Sequence, residues 1–139
     1  MTTNIPDLCP CGGEKTYAEC CGRYVEGGEA APTAEALMRS RYTAYTLRRE
    51  DYLLATWHAS TRPEKLGLAE EPPCKWLGLQ VKRHLPKDAD HAIVEFVARY
   101  KINGRAFRLH EISSFVREDG RWYYVDGDIQ EGSEKNQGN

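Results

Sequence analysis

Two dipeptides, Asn103-Gly104 and Asp119-Gly120, constrain this chain more than any other feature. Each is the preferred centre of a two-residue type I′ hairpin, in which both central residues take positive φ. The sequence around them alternates, and predicts a strand from 93 to 101, a long strand from 105 to about 117 and a last strand from 121 to 126. Tight turns also fix register. Tyr100 then faces Phe107, Ala98 faces Leu109, Phe96 faces Glu111 and Val94 faces Ser113; across the second turn Phe115 faces Tyr124 and Arg117 faces Trp122. All of these share one sheet face, which carries most of the aromatic side chains. The opposite face holds Ile93, Val97, Ile112, Val116, Tyr123 and Val125 among Glu95, Arg99, Arg108 and His110. It is too apolar to stand bare in water, so either the N-terminal segment or a second copy of the chain, as a homodimer, is expected to cover it.

Upstream, Leu77, Leu79 and Val81 alternate from Trp76 onward and predict one more strand. Thr33 is a good helix N-cap, with Glu35 in the first turn and Arg48 and Arg49 in the last. Ala34, Leu37, Met38, Arg41 and Tyr45 make one stripe on that helix. Asp51 can cap a second short helix reaching Trp57, with His58 at its C-terminal end. Helices followed by a curved antiparallel sheet form an α+β layer arrangement. Two charged residues interrupt the apolar faces: Arg41 on the helix and Glu111 on the sheet. A carboxylate among Phe96, Leu109 and Phe115 must be paired or protonated if buried, so an Arg41–Glu111 contact is expected. A bulge in the long strand would instead turn Glu111 outward.

Cys9, Cys11, Cys20 and Cys21 stand in a C-x-C-x8-C-C pattern. No apolar run approaches the roughly 20 residues that span a bilayer, and the start lacks the basic and apolar regions of a signal peptide. A cytoplasmic location is therefore expected, where thiols stay reduced and clustered cysteines read first as metal ligands. Four thiolates match tetrahedral zinc, and a closed thiolate shell makes a structural centre with no open position for chemistry. Gly12 and Gly13 let the chain fold back after the first pair. A redox dithiol or a pair of disulfides are the alternatives, the first without the usual C-x-x-C spacing, the second strained at adjacent cysteines.

The segment Cys9-Pro10-Cys11-Gly12, with Lys15, Tyr17 and Cys20-Cys21-Gly22, resembles the SEC-C motif of the preprotein-translocase ATPase, with Gly13 where that motif usually has serine. In the translocase the motif docks a partner, so the resemblance implies contact-making. The strings at 31–45, 52–58 and 115–127 resemble the YchJ-like bacterial proteins, which join a SEC-C motif to a domain of the nuclear-transport-factor-2-like (cystatin-like) class. The implied organisation is a zinc knuckle at 1–25, a linker at 26–32, a cone-shaped domain at 33–128 and a flexible tail at 129–139.

Function divides accordingly. The first reading is a zinc-stabilised adaptor whose knuckle docks a protein or nucleoprotein partner. The second is a small-molecule binder, or an acid/base enzyme of isomerase or dehydratase type, using a cone pocket around Glu111. The pocket candidates are Arg41, Tyr45, Trp57, Phe96, Glu111, Phe115 and Trp122. By parity His110 points away from them. The net charge of -2, from 19 basic and 21 acidic residues, argues against a general nucleic-acid binder. Arg39, Arg41, Arg48 and Arg49 read first as solvated helix surface.

Overall fold

Both turn dipeptides adopt the backbone that their composition favours. In a computed structural model of the chain, Asn103 and Gly104 have φ of 53° and 81°, and Asp119 and Gly120 have 53° and 79°, the doubly left-handed pattern of a type I′ turn. The structure describes residues 8–12, 15–68 and 74–130. The expectations for Gly13 and for the tail beyond 130 lie outside them. The elements are α1 (Gly22–Val25), α2 (Ala34–Thr46), α3 (Glu50–Ala55), β1 (Cys74–Asp88), β2 (His91–Ile102), β3 (Arg105–Glu118) and β4 (Arg121–Ile129). The strands form one antiparallel sheet in the order β1-β2-β3-β4, the topology that consecutive hairpins dictate.

All the expected cross-strand neighbours are present, from Val94 opposite Ser113 to Arg117 opposite Trp122. β1 departs from simple alternation. A register shift between Trp76 and Gly78 bulges Leu77 outward, where it is exposed. This corrects the expectation that Leu77 lies in phase with Leu79 and Val81. The bulge has a purpose in packing: Trp76 can face Tyr100 while Leu79 faces Ala98, so both stay on the inner face. β4 also runs further than expected, to Ile129, and shifts register between Ser114 and Phe115 so that Gly127 comes to lie opposite Ser113.

α2 begins as predicted: the Thr33 side chain accepts the Ala36 N–H at 3.0 Å. It ends earlier, at Thr46, and Arg48 follows in the left-handed region. α3 starts at Glu50, without a capping side chain at Arg49, so Asp51 sits within the first turn instead of capping it. It stops at Ala55, and Trp57 lies beyond it, bridged to Tyr124 of β4. Residues 56–58 run beside β4: Tyr124 N–H donates to Thr56 O, and His58 N–H donates to Tyr124 O. The His58 side chain does not cap a helix but joins Ser60 and Glu118, at 2.7 and 2.8 Å.

One buried cluster unites the inner sheet face, α2 and the cysteine segment. Val94, Phe96, Ala98 and Phe115 pack with Ala34, Leu37, Met38 and Tyr42, and with Cys9, Cys11, Cys21 and Tyr24. At roughly 1.5–3 kcal/mol for each large apolar side chain removed from water, this shared burial holds the helices on the sheet.

Candidate functional site

Two groups of residues carry chemistry. The first is the cysteine cluster. Its four Sγ atoms lie within 4.8 Å of one another, and Cys11 Sγ is 3.7 Å from Cys20 Sγ. Tetrahedral zinc with Zn–S near 2.3 Å puts its sulfurs about 3.8 Å apart, so the donor set fits a divalent metal in identity, number and spacing. The local chain is built for this. The Cys9 N–H donates to Lys15 O, Gly12 N–H donates to Cys9 O, and Gly12 takes a φ of 90°, a value that favours glycine. The thiols perturb one another. Hydrogen bonding with Cys11 is the largest influence on both Cys9, whose pKa is driven down, and Cys21, whose pKa is driven up; desolvation pushes Cys20 up to about 11. A coordinated metal would hold all of them as thiolates.

The cluster faces inward. Cys9, Cys11 and Cys21 are buried, and Cys9 Sγ meets the Thr43 hydroxyl at 3.6 Å. Arg39 donates Nη1 to the Cys11 carbonyl at 2.9 Å while its Nε holds Glu35 at 3.0 Å. A β-carbon placed on Gly12 would touch the Leu79 carbonyl. The knuckle thus sits on α2 and β1, not on the outer face of the sheet. That outer face carries its own polar network, with Glu95 between Arg83 (2.7 Å) and His110 (2.6 Å), and His110 is on it as strand parity required.

The second group lines a cavity of about 280 Å³ between α2 and the inner sheet face. Of the sequence candidates, Arg41, Tyr45, Trp57, Phe96, Glu111 and Phe115 line it. Trp122 does not. It faces a separate groove with Tyr24, Leu37 and Tyr52, because its position opposite Arg117 lies near the end of the β3–β4 hairpin. Met38, Tyr42, Trp76, Ala98, Leu109, Ser113 and Tyr124 complete the wall. Trp76 meets Tyr42 edge-on at a centroid distance of 5.5 Å and lies tilted against Tyr45 at 5.9 Å, and Trp57 meets Tyr124 edge-on at 5.0 Å.

The expected direct Arg41–Glu111 contact is not made. Arg41 is 6 % exposed, and its Nη1 donates to Leu53 O at 2.8 Å and Thr56 Oγ1 at 2.7 Å. These acceptors at the end of α3 hold the guanidinium. Its face lies over the rings of Tyr124 (4.6 Å) and Trp57 (5.2 Å). Burial pulls the Arg41 pKa down, the usual effect of desolvating a cation. Glu111 instead accepts from Ser113 Oγ at 2.7 Å and from the Tyr124 hydroxyl at 3.4 Å, both on Oε2. Tyr124 therefore links the two charges, with its ring under the cation and its hydroxyl on the carboxylate. Burial raises the Tyr124 pKa, and the Glu111 charge adds to the rise.

Gly127 makes the Glu111 position available. A β-carbon there would overlap the Glu111 carboxylate, so only glycine leaves the space that the side chain occupies. Ending the last strand at 126 hid this role, because β4 runs through Gly127 to Ile129. The signal was present: Gly127 directly follows the apolar run of the last strand, and a glycine inside a strand often marks a close approach. Tyr124 was visible as an inner-face residue, whereas Trp76 reaches the wall only through the β1 bulge, which breaks the alternation counted from Leu77.

Comparison with known proteins agrees with this architecture. The family described as "YchJ, middle NTF2-like domain" matches residues 33–127, and the SEC-C motif matches residues 6–23. A UPF0225 protein of Chromobacterium violaceum is 62% identical over 125 residues, covering 86% of this chain and 90% of the relative. The UPF0225 protein of Bordetella parapertussis is 55% identical over 127 residues, covering 90% and 95%. The solution structure of a SEC-C motif containing protein from Rhodopseudomonas palustris superposes with a TM-score of 0.78 at 35% identity, over 88% of this chain and 98% of that one. A SEC-C motif containing protein from Psychrobacter arcticus gives 0.67 at 28% identity, over 93% and 86%. Among the described residues no helix is long and apolar enough to cross a membrane. With both parts matched in place, a cysteine cluster compatible with metal binding followed by a nuclear-transport-factor-2-like sheet and helices, the chain belongs to the YchJ-like UPF0225 family.

Proposed function

We propose that the cone binds a small, largely apolar molecule, and that the knuckle is a structural zinc centre that holds α2 over it. The cavity carries the reading: about 280 Å³ of space walled by aromatic side chains, with one carboxylate and one guanidinium on the wall. Binding sites for small molecules are mostly apolar, with a few placed polar groups, and run from roughly 300 to 1,000 Å³; this one suits a single substituted ring. A core serving packing alone would gain by closing such a space, because each buried void costs stability. Zinc is the metal that four thiolates at this spacing favour, and a reducing compartment such as the cytoplasm suits it.

Titration with toluene, followed through the indole N–H resonances of Trp57 and Trp76, tests the reading. Saturable shifts of both indoles are expected, since both side chains line the cavity. Unmoved indoles at saturating toluene would reject it.

A second reading, a protein partner docked on the knuckle, is supported by Leu8, an apolar residue 59% exposed beside the cysteine turn. We favour it less. Cys9, Cys11, Cys21, Tyr24 and Val25 are buried, and single exposed leucines are ordinary.

A further inference from the structure

We infer that the molecule held in the cone is a net-neutral aromatic compound with a neighbouring hydrogen-bond donor and acceptor, as in a carboxamide, the donor meeting Glu111 and the acceptor meeting Arg41. This deepens the proposed function and rests on it.

The polar inventory of the cavity leads there. Glu111 receives both of its hydrogen bonds, from Ser113 and Tyr124, on Oε2. Among the described residues Oε1 takes none. Arg41 gives both of its hydrogen bonds from Nη1, and among the described residues Nε and Nη2 donate none. Glu111 thus keeps one oxygen and Arg41 two nitrogens for a ligand, and both residues line the cavity. Tyr124 stands between them, its ring 4.6 Å from the Arg41 carbon and its hydroxyl 3.4 Å from Glu111. Both charges thus meet the same phenol, the cation at its ring and the carboxylate at its hydroxyl, close enough for one small molecule to reach both.

Charge decides which molecule. An anion would gain Arg41 and be repelled by Glu111; a cation would gain Glu111 and be repelled by Arg41, which is only 6 % exposed and poorly screened. A hydrocarbon would fill the space and leave both charged groups cut off from water without a new partner. A neutral donor–acceptor edge satisfies both, while the ring rests on Trp57, Trp76 and Phe96.

Four benzene derivatives of similar size test this on the full-length protein: benzamide, benzoate, benzylamine and toluene, each titrated against the Trp57 and Trp76 indole resonances. Benzamide should bind roughly tenfold or more tightly than each of the others, the effect of one unmatched buried polar group. In Glu111→Gln the repulsion of an anion is gone while Arg41 stays, so benzoate should overtake benzamide. Benzoate or benzylamine equalling benzamide on the native protein would overturn the inference, as would an unchanged ranking in Glu111→Gln. If all four bind without preference, the cone remains a ligand site and only its assigned chemistry falls. If none binds, both fall. Circular dichroism of Glu111→Gln establishes that the variant is folded before its ranking is read.

Discussion

Cys9 Sγ and Thr43 Oγ1 stand 3.6 Å apart, joining the cysteine turn to the C-terminal half of α2 across 34 positions of sequence. Thr43 is fully buried, and its neighbours Arg41, Tyr42 and Tyr45 line the cavity. A metal held at the knuckle would therefore support the same helix that roofs the cavity.

Stripping metal with a strong chelator should lower the stability of the whole domain, not of the first 25 residues alone. Cys9, Cys11 and Cys21 share one buried cluster with Leu37, Met38 and Phe96, and structural zinc contributes on the order of 10–16 kcal/mol in isolated finger peptides. Even about 3 kcal/mol of that would lower Tm by roughly 10 °C in a chain of this size. Cys20→Ser should do the same. The check is far-ultraviolet and near-ultraviolet melting of one sample. A sheet that keeps its native Tm while the knuckle loosens would refute it.

Gly127→Ala should destabilise the protein by about 1–3 kcal/mol, the usual cost of forcing an atom into a filled site. The new methyl group overlaps the Glu111 carboxylate and must push it off Ser113. Gly78→Ala is the control, since nothing lies within 4 Å of its added carbon, and it should stay within about 0.5 kcal/mol of wild type. Urea midpoints for the two variants decide the matter; equal values would show that Glu111 moves aside freely.

Much of this was legible from the chain, and what was not has a physical pattern. Register was readable because Asn103-Gly104 and Asp119-Gly120 leave the backbone one economical turn, so Phe96 opposite Glu111 followed by counting. The α2 cap was readable because Thr33 makes a local hydrogen bond. Leu77 was misplaced because a bulge breaks the count without changing composition. The Arg41 partner was misread for a different reason. A charge on an apolar stripe suggests an opposite charge, but backbone carbonyls carry no sequence signature, and Leu53 O is where Arg41 went. Trp122 was assigned to the cone from parity alone, which specifies a face but not a position along it. The inward commitment of the knuckle was hidden because its contacts with Thr43, Arg39 and Leu79 are all long-range.

Tyr124→Phe and Tyr124→Leu should separate what the hydroxyl contributes from what the ring contributes. The hydroxyl bond to Glu111 is long, at 3.4 Å, so its loss should cost less than about 1 kcal/mol. The ring meets Arg41 at 4.6 Å, Trp57 at 5.0 Å and Phe115 at 5.8 Å. A desolvated cation–π contact is worth about 2 kcal/mol and an aromatic pair about 0.5–1.5, so the leucine variant should lose roughly 3 kcal/mol or more. Chemical denaturation of both variants measures the difference. Equal losses would mean that the hydroxyl, not the ring, holds the Arg41–Glu111 arrangement together.

Acid should weaken the connection between α3 and the loop before β1, and Glu50 is the group that makes it pH-dependent. Its carboxylate accepts the Leu66 N–H at 3.0 Å and the Leu68 N–H at 3.1 Å. Those bonds favour the charged form, the Leu66 bond most, and hold the Glu50 pKa below its ordinary 4.5. A carboxylate with a lowered folded-state pKa binds fewer protons when folded, so its contribution is complete above the unfolded value and disappears as pH falls through and below it. Glu50→Gln can offer only one acceptor atom where the carboxylate offers two. Its urea midpoint should lie below that of the wild type at pH 7, and the gap should narrow steadily once pH drops under 4.5. A gap that keeps its pH 7 size down to pH 3 would show that the Glu50 charge does not stabilise the loop.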